Sequence, residues 1–306
     1  MNEYIAALVD EFAQLGITYA VFSPGSRSTT MAMLFREHGA FETYMNIDER
    51  SAGFMALGIA KAHRKPVILV CTSGSAVAHY MPAVLEAQYS GVPLIILSAD
   101  RPHTLQHVGA PQTVDQQKIF GTAVNYYEEL AVPQQEHYYT YPRLVARKAY
   151  MKAMDVKRGP VHINVPLFEP LVPELDRKHF ECGRQPFSVV PAVIQPGDVC
   201  TIYDLLANKK VLILAGPSTN LEDADAILGL SNIFHAPILD DPLSNMRRVY
   251  DERVITSYDA LLSQEVYRDT LRPDCILQIG QMVVSKRVQQ WVASMQHIPI
   301  ISVSPT

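Results

Sequence analysis

Cysteine is scarce in this sequence: Cys71, Cys182, Cys200 and Cys275 lie far apart among 306 residues, with no C-x-x-C pair. That scatter excludes a disulfide framework and a four-ligand structural zinc site. Long apolar runs are missing too. Stretches such as Val67–Cys71 and Pro93–Ser98 are far shorter than the ~20 residues that a membrane-crossing helix needs. The opening residues, MNEYIAALVDEF, carry acids where a secretory signal needs basic residues followed by an unbroken apolar stretch, so the expected location is the cytoplasm. Nor is there an excess of positive charge. Lys and Arg number 26 against 31 Asp and Glu, a net charge of −5 with no block of like sign. This removes the electrostatic footprint for duplex nucleic acid or an anionic membrane, and leaves room only for a local basic pocket. No G-x-x-x-x-G-K-[ST] loop occurs, which argues against a nucleoside triphosphatase.

What the sequence does have is apolar bulk. Hydrophobic residues make up 48 % and charged residues 19 %, enough to fill a sizeable core, and at about 150 residues per domain the length suggests two. Helix-period stretches alternate with short, continuous apolar runs such as Tyr19–Phe22, Val67–Cys71, Leu94–Leu97, Val161–Val165, Val211–Leu214 and Cys275–Ile279. Continuous runs mark strands covered on both faces. The alternation therefore predicts an α/β protein, with two Rossmann-like or flavodoxin-like parallel-sheet domains carrying helices on both faces. The first is expected over residues 1–170. Pro166, Pro170, Pro173, Pro186, Pro191 and Pro196 punctuate an extended connector at 171–195, and a second α/β series fills 196–306.

Polar residues gather where strands end. Ser23-Pro24-Gly25-Ser26-Arg27-Ser28 leaves the first strand and opens a helix, where free N–H groups and the fork of Arg27 suit a carboxylate or phosphate. The same residues also make an ordinary turn with Ser28 as N-cap. Cys71-Thr72-Ser73-Gly74-Ser75 and Ser98-Ala99-Asp100-Arg101-Pro102 follow two further strands, and a parallel sheet brings such exits to one edge. Glu49 opens a helix on which Ala52, Ala56 and Ala60 form a ridge of small side chains that admits close packing of another helix. An acid there complements the helix dipole in solvent; a buried one can share a proton with a ligand nitrogen. Gln112 lies in an amide-bearing turn, and Lys286 and Arg287 put two cations at a strand exit of the second domain, a pair that is usually solvated.

In this order and spacing, SPGSRS, NIDERSAGFMALGIAK, CTSGSA, SADRP and GAPQTVDQ resemble the thiamine-diphosphate enzymes, and together with VSKR they resemble the menaquinone-pathway carboligases among them. The likeness runs from Met1 to about Pro170, the family's pyrimidine-binding domain, and more weakly through the central domain. It implies a transferase that decarboxylates 2-oxoglutarate and adds the succinyl-semialdehyde carbanion in conjugate fashion to isochorismate. It implies Glu49 as the catalytic residue that hydrogen-bonds the cofactor's aminopyrimidine ring, with Thr72, Ser73 and Gly74 approaching the cofactor. Ser26 and Arg27 match residues on the isochorismate side, Arg101 and Gln112 match others lining the substrate cavity, and Lys286 and Arg287 match a cationic pair from the central domain. Thiamine diphosphate and Mg2+ are the implied cofactors. No metal ligand is expected in these residues, because the family's C-terminal diphosphate-binding domain has no counterpart in the 306 residues, and the chain alone is expected to be inactive. The implied partners are the two small substrates and a second copy, as a dimer or dimer of dimers with the Ala52 ridge at its seam. Two other readings fit the same residues: another thiamine-diphosphate 2-oxoacid decarboxylase or carboligase, and a non-catalytic dianion-binding or regulatory module.

Overall fold

The continuous apolar runs form the strands of two parallel sheets. In the computed structural model, which describes residues 2–132, 139–185, 196–218, 223–295 and 297–303, the chain folds as two units, Met1–Val190 and Pro191–Thr306. The first contains α1 (Asn2–Gln14), β1 (Tyr19–Phe22), α2 (Thr29–His38), β2 (Glu42–Met45), α3 (Glu49–His63), β3 (Val67–Cys71), α4 (Met81–Ser90), β4 (Leu94–Asp100), β5 (Tyr126–Glu129), α5 (Thr140–Ala153) and β6 (Val161–Pro166). Its strands run in the order β2-β1-β3-β4-β6-β5, all parallel. Every residue of β3, β4 and β6 is buried, and two apolar layers, one around Phe12, Phe35 and Ile95 and one around Leu69, Tyr80 and Ile96, cover the sheet.

The second unit contains α6 (Pro196–Leu206), β7 (Val211–Ala215), α7 (Asp223–Phe234), β8 (Ile238–Asp240), β9 (Val254–Ile255), α8 (Tyr258–Leu261), α9 (Glu265–Leu271), β10 (Cys275–Ile279), α10 (Lys286–Ala293) and β11 (Ile300–Val303). Its parallel sheet is ordered β11-β10-β7-β8-β9. Strands β5 and β9 carry no buried apolar run and are half-buried edges, which is why the sequence pattern does not announce them. After β3, Val77–Tyr80 forms a short 3-10 turn before α4.

Two features of the first unit depart from the sequence pattern. The α1 helix has an amphipathic spacing, yet all residues from Tyr4 to Phe12 are buried, Asp10 and Glu11 included. Their charges are met by cations from elsewhere: Arg143 Nη1 lies 2.7 Å from Asp10 and 2.9 Å from Glu11, Arg147 Nε lies 2.5 Å from Glu11, and Arg184 Nη2 lies 2.6 Å from Asp10. Burial pushes the Asp10 carboxyl up, but hydrogen bonds with His38, Arg184 and Arg143 outweigh it and hold the group well below its ordinary range. The second departure is the stretch expected as an extended connector. Residues 177–185 lie against α1 and α5, with Phe180 in the core and the carbonyls of Phe180, Cys182 and Gln185 accepting from Arg143 and Arg147. Residues 186–195 of the expected connector lie outside the described residues.

Candidate functional site

In an open parallel sheet, ligands bind beyond the carboxyl ends of the strands where successive connections leave in opposite directions. In the first unit that point is between β1, whose chain moves on to β2, and β3, whose chain moves on to β4. The loops that meet there are Ser23–Ser28 and Thr72–Ser75. They touch at Gly25, where a Cβ would stand 2.2 Å from the Thr72 Cβ, so only glycine lets the loops approach this closely. Gly74 has φ of +91°, and a Cβ there would meet Gln112 Cγ at 2.9 Å. The strand exits thus bring together Ser26, Arg27, Thr72, Ser73, Gly74, Arg101 and Gln112, seven of the site residues proposed from sequence.

Their engagement differs. Arg101 Nη1 donates to Ser73 Oγ at 2.7 Å and to the Gln112 carbonyl at 2.6 Å. Arg27 is buried and donates from Nη1 to the Leu167 carbonyl at 2.9 Å, but its Nε has no partner. Burial, then the Arg101 charge, lowers the Arg27 guanidinium from its ordinary pKa, while Glu169 and Asp100 act the other way. Two guanidinium groups repelling each other at the strand exits, one with an unspent buried donor, form an arrangement that an anion would relieve. Ser26 is exposed beside them, as is the side chain of Gln112, whose backbone φ of +56° turns its carbonyl to Arg101.

Beneath these loops lies a polar network that the strand-exit motifs do not include. Gln116 accepts from the Gly74 N–H at 2.8 Å and donates to the Ala99 carbonyl at 3.2 Å and to Asn164 Oδ1 at 2.9 Å. Asn164 in turn donates to Asp100 at 2.8 Å. Ser98 Oγ gives its single proton to Asn164 Oδ1 at 2.8 Å and lies 2.7 Å from His162 Nε2, so His162 carries its proton on Nε2 and donates. Burial alone holds the His162 pKa down to about 3. Alternation along β6 could have found this signal, since His162 and Asn164 are polar residues in an otherwise apolar strand.

Glu49 is half-buried at the first turn of α3, with Asp48 as N-cap accepting from the Ser51 N–H at 2.9 Å. Its field reaches the foot of β3: burial first, and then Glu49, pushes the Cys71 thiol up. The ridge of Ala52, Ala56 and Ala60 does not form an outer seam. All three are buried against Val21, Leu69 and Tyr80 of their own unit. The outward residues are instead Phe54, with Met45 and Ile47 just before the helix, exposed by 46, 62 and 83 %. Two clefts of about 390 and 260 Å³ lie along the 103–132 segment and the β6 exit, lined by His103 and Glu129 in one case and His107 and Asp115 in the other. Neither is lined by Arg27, Glu49 or Thr72.

The second unit treats its cations differently. Arg287, at the start of α10, lies 2.6 Å from Asp259 Oδ2 and also donates to the Asp259 carbonyl. Lys286 beside it is exposed. Among the described residues no group of three His, Cys, Asp or Glu side chains could hold a metal ion.

Residues 3–119 match the family model of the thiamine pyrophosphate enzyme N-terminal domain, and residues 195–304 match the middle domain of thiamine pyrophosphate enzymes. The chain is therefore made of an N-terminal and a middle domain of the thiamine pyrophosphate enzymes. Among curated proteins it is similar to 2-succinyl-5-enolpyruvyl-6-hydroxy-3-cyclohexene-1-carboxylate synthase of Lactococcus lactis subsp. cremoris, with 50 % identity over 99 % of this chain and 55 % of the relative. The synthases of the same name from Desulfitobacterium hafniense and Listeria monocytogenes are 47 and 40 % identical, over 97 and 100 % of this chain and 54 % of each relative. The chain spans about half the length of the curated relatives it matches.

Proposed function

We propose that this chain forms the pyrimidine-binding and central domains of a menaquinone-pathway carboligase, a transferase that moves a four-carbon unit from 2-oxoglutarate, with loss of carbon dioxide, to isochorismate. The observation that carries the reading is Arg27, buried at the sheet's switch point with an unpartnered Nε in the field of Arg101. Both substrates are dianions, and their carboxylates suit such a place. The names of the relatives agree with it.

Thiamine diphosphate, when bound, supplies the acidic carbon and the electron sink that 2-oxoacid decarboxylation requires. The residues of this chain hold and orient. Glu49 keeps a carboxyl at the start of α3, where it can share a proton with an aminopyrimidine nitrogen. Thr72, Ser73 and Gly74 form the wall next to the ring, held by Gln116. Ser26 and Arg27 take a carboxylate of isochorismate, and Arg101 and Gln112 bound the same cavity. Lys286 and Arg287 are the central-domain cations proposed for substrate; Arg287 would exchange Asp259 for it. Magnesium and the diphosphate take their ligands from outside these residues. The exposed Met45, Ile47 and Phe54 near Glu49 support a homo-oligomer, a dimer or dimer of dimers; the location proposed for it is the cytoplasm.

The test is an assay of the full-length protein that carries this chain, loaded with thiamine diphosphate and magnesium, with 2-oxoglutarate and isochorismate together. Product should form only with both substrates and fall at least ~100-fold in Glu49→Gln. A folded, cofactor-loaded protein that makes none contradicts the reading.

A further inference from the structure

The guanidinium of Arg27 has two usable edges, and the first unit occupies only one. Nη1 is spent on the Leu167 carbonyl at 2.9 Å. Nε and Nη2 point the same way and make the side-on fork that grips a carboxylate with two parallel bonds. Among the described residues Nε on that edge is buried without a partner, and Nη2 meets only Glu169 Oε1, at 3.6 Å, beyond hydrogen-bond reach. The side chain of Glu169 is 77 % exposed while that of Arg27 is 8 % exposed. A hydrated carboxylate therefore hovers at the mouth of a desolvated fork without closing on it.

The backbone keeps it there. Leu167 N–H donates to the Asp100 carbonyl at 2.9 Å, and Thr30 Oγ1 donates to the Leu171 carbonyl at 2.5 Å, pinning the segment on either side of Glu169 to β4 and α2. Among the described residues the other acid acting on Arg27 is Asp100, and its oxygens are engaged by Asn164 and the Arg101 N–H at 2.8 and 2.7 Å. Among the described residues, Glu169 is thus the acid at this fork whose carboxylate is left to solvent.

We propose that Glu169 is a resident counter-anion of Arg27 that an incoming substrate carboxylate displaces, so that Glu169 sets the affinity and salt dependence of the site. This rests on the reading of Arg27 as the carboxylate holder. Exposed ion pairs contribute up to ~1 kcal/mol, which converts to an affinity gain of about two- to fivefold when the competitor is neutralised.

The experiment is a calorimetric titration of this chain with isochorismate, repeated with inorganic sulfate as a plain dianion. The proteins are the parent, Glu169→Gln, Arg27→Gln and the double variant. Glu169→Gln, an exposed substitution that leaves the core intact, should bind about two- to fivefold more tightly. The gain should shrink with added salt and vanish in the Arg27→Gln background. Binding that is unchanged or weaker in Glu169→Gln overturns the proposal; if Arg27→Gln still loses affinity, the carboxylate reading of Arg27 stands alone. Equal isochorismate affinity in Arg27→Gln and parent, or no anion binding in any of the four, overturns both.

Discussion

The two units share one architecture and spend it in opposite ways. Each has a parallel sheet with a single switch point, β1 and β3 in the first and β7 and β10 in the second. In the first, the loops beyond those strands touch through a side chain, Gly25 against Thr72, and leave a buried guanidinium with an unused donor. In the second they close through backbone: a Cβ on Gly216 would fall 1.7 Å from the Gln281 carbonyl, and Gln281 N–H donates to the Pro217 carbonyl at 3.2 Å. Of its buried acids, Asp241 accepts from the N–H groups of Leu243 and Val284 at 2.9 and 2.7 Å, while Asp240 accepts from Ser244 through one oxygen and keeps Oδ2 without a hydrogen-bond partner. Fold alone does not make an anion site; the first unit leaves a cationic donor unspent, the second an acidic acceptor.

The sharpest way to break that contrast is to add one methyl to each closure. Gly216→Ala should fail to fold its unit, because the obstacle is a carbonyl that no neighbouring substitution removes. Gly25→Ala should cost ~1–3 kcal/mol and recover on adding Thr72→Ala, since the obstacle there is a side chain. Thermal unfolding of the three variants measures both. Recovery of Gly216→Ala by a side-chain change, or none of Gly25→Ala, would erase the distinction.

Acid should separate the units next. The unfolded chain protonates His162 near its ordinary 6.5, while the folded site resists until about 3, so the first unit loses stability as pH falls from about 6.5 towards 3. Asp10, held low, adds to that loss below its ordinary value near 4. Asp240 in the second unit has the opposite sign, as does Asp100 in the first: burial raises both, so their contributions are lost as pH rises and grow on acidification, and Asp100 offsets part of the first unit's loss. Amide exchange at pH 4 should therefore show β6 opening before β8. The reverse order would mean that the buried polar groups do not govern acid stability.

Smaller effects follow from single contacts. Gln116→Leu leaves the Gly74 N–H and the Ala99 carbonyl buried without a partner, worth ~1–3 kcal/mol each, and should lower thiamine-diphosphate-dependent turnover while Gln116→Glu retains part of it. Arg287→Gln should change stability by less than ~1 kcal/mol, because its partner Asp259 is exposed; a larger loss in chemical denaturation would make that pair structural rather than available.

The central strands were legible because burial on both faces demands unbroken apolar runs, and Tyr19–Phe22, Val67–Cys71 and Cys275–Ile279 match the structure to the residue. The edges β5 and β9 were not, since a half-buried edge imposes no such pattern. The convergence of Arg27, Thr72 and Arg101 could be read from strand exits and parallel topology alone. The Ala52 ridge could not be assigned, because small residues at helical spacing look alike whether they face their own sheet or another chain; here they face β1 and β3. Gln116, Asn164 and His162 stayed hidden because a buried polar network joins residues far apart in sequence, and Glu169 because an acid in a proline-rich stretch looks solvated.

The central claim is that the first unit's switch point holds a carboxylate on Arg27 and that the second unit's does not on its own. It is tested most directly by calorimetric titration of isochorismate into the full-length protein, comparing the parent with Arg27→Gln and Arg287→Gln. Arg27→Gln should lose ~2–5 kcal/mol of binding free energy, a weakening of thirtyfold or more, and Arg287→Gln should lose roughly tenfold or less. Undiminished binding in Arg27→Gln would contradict the account.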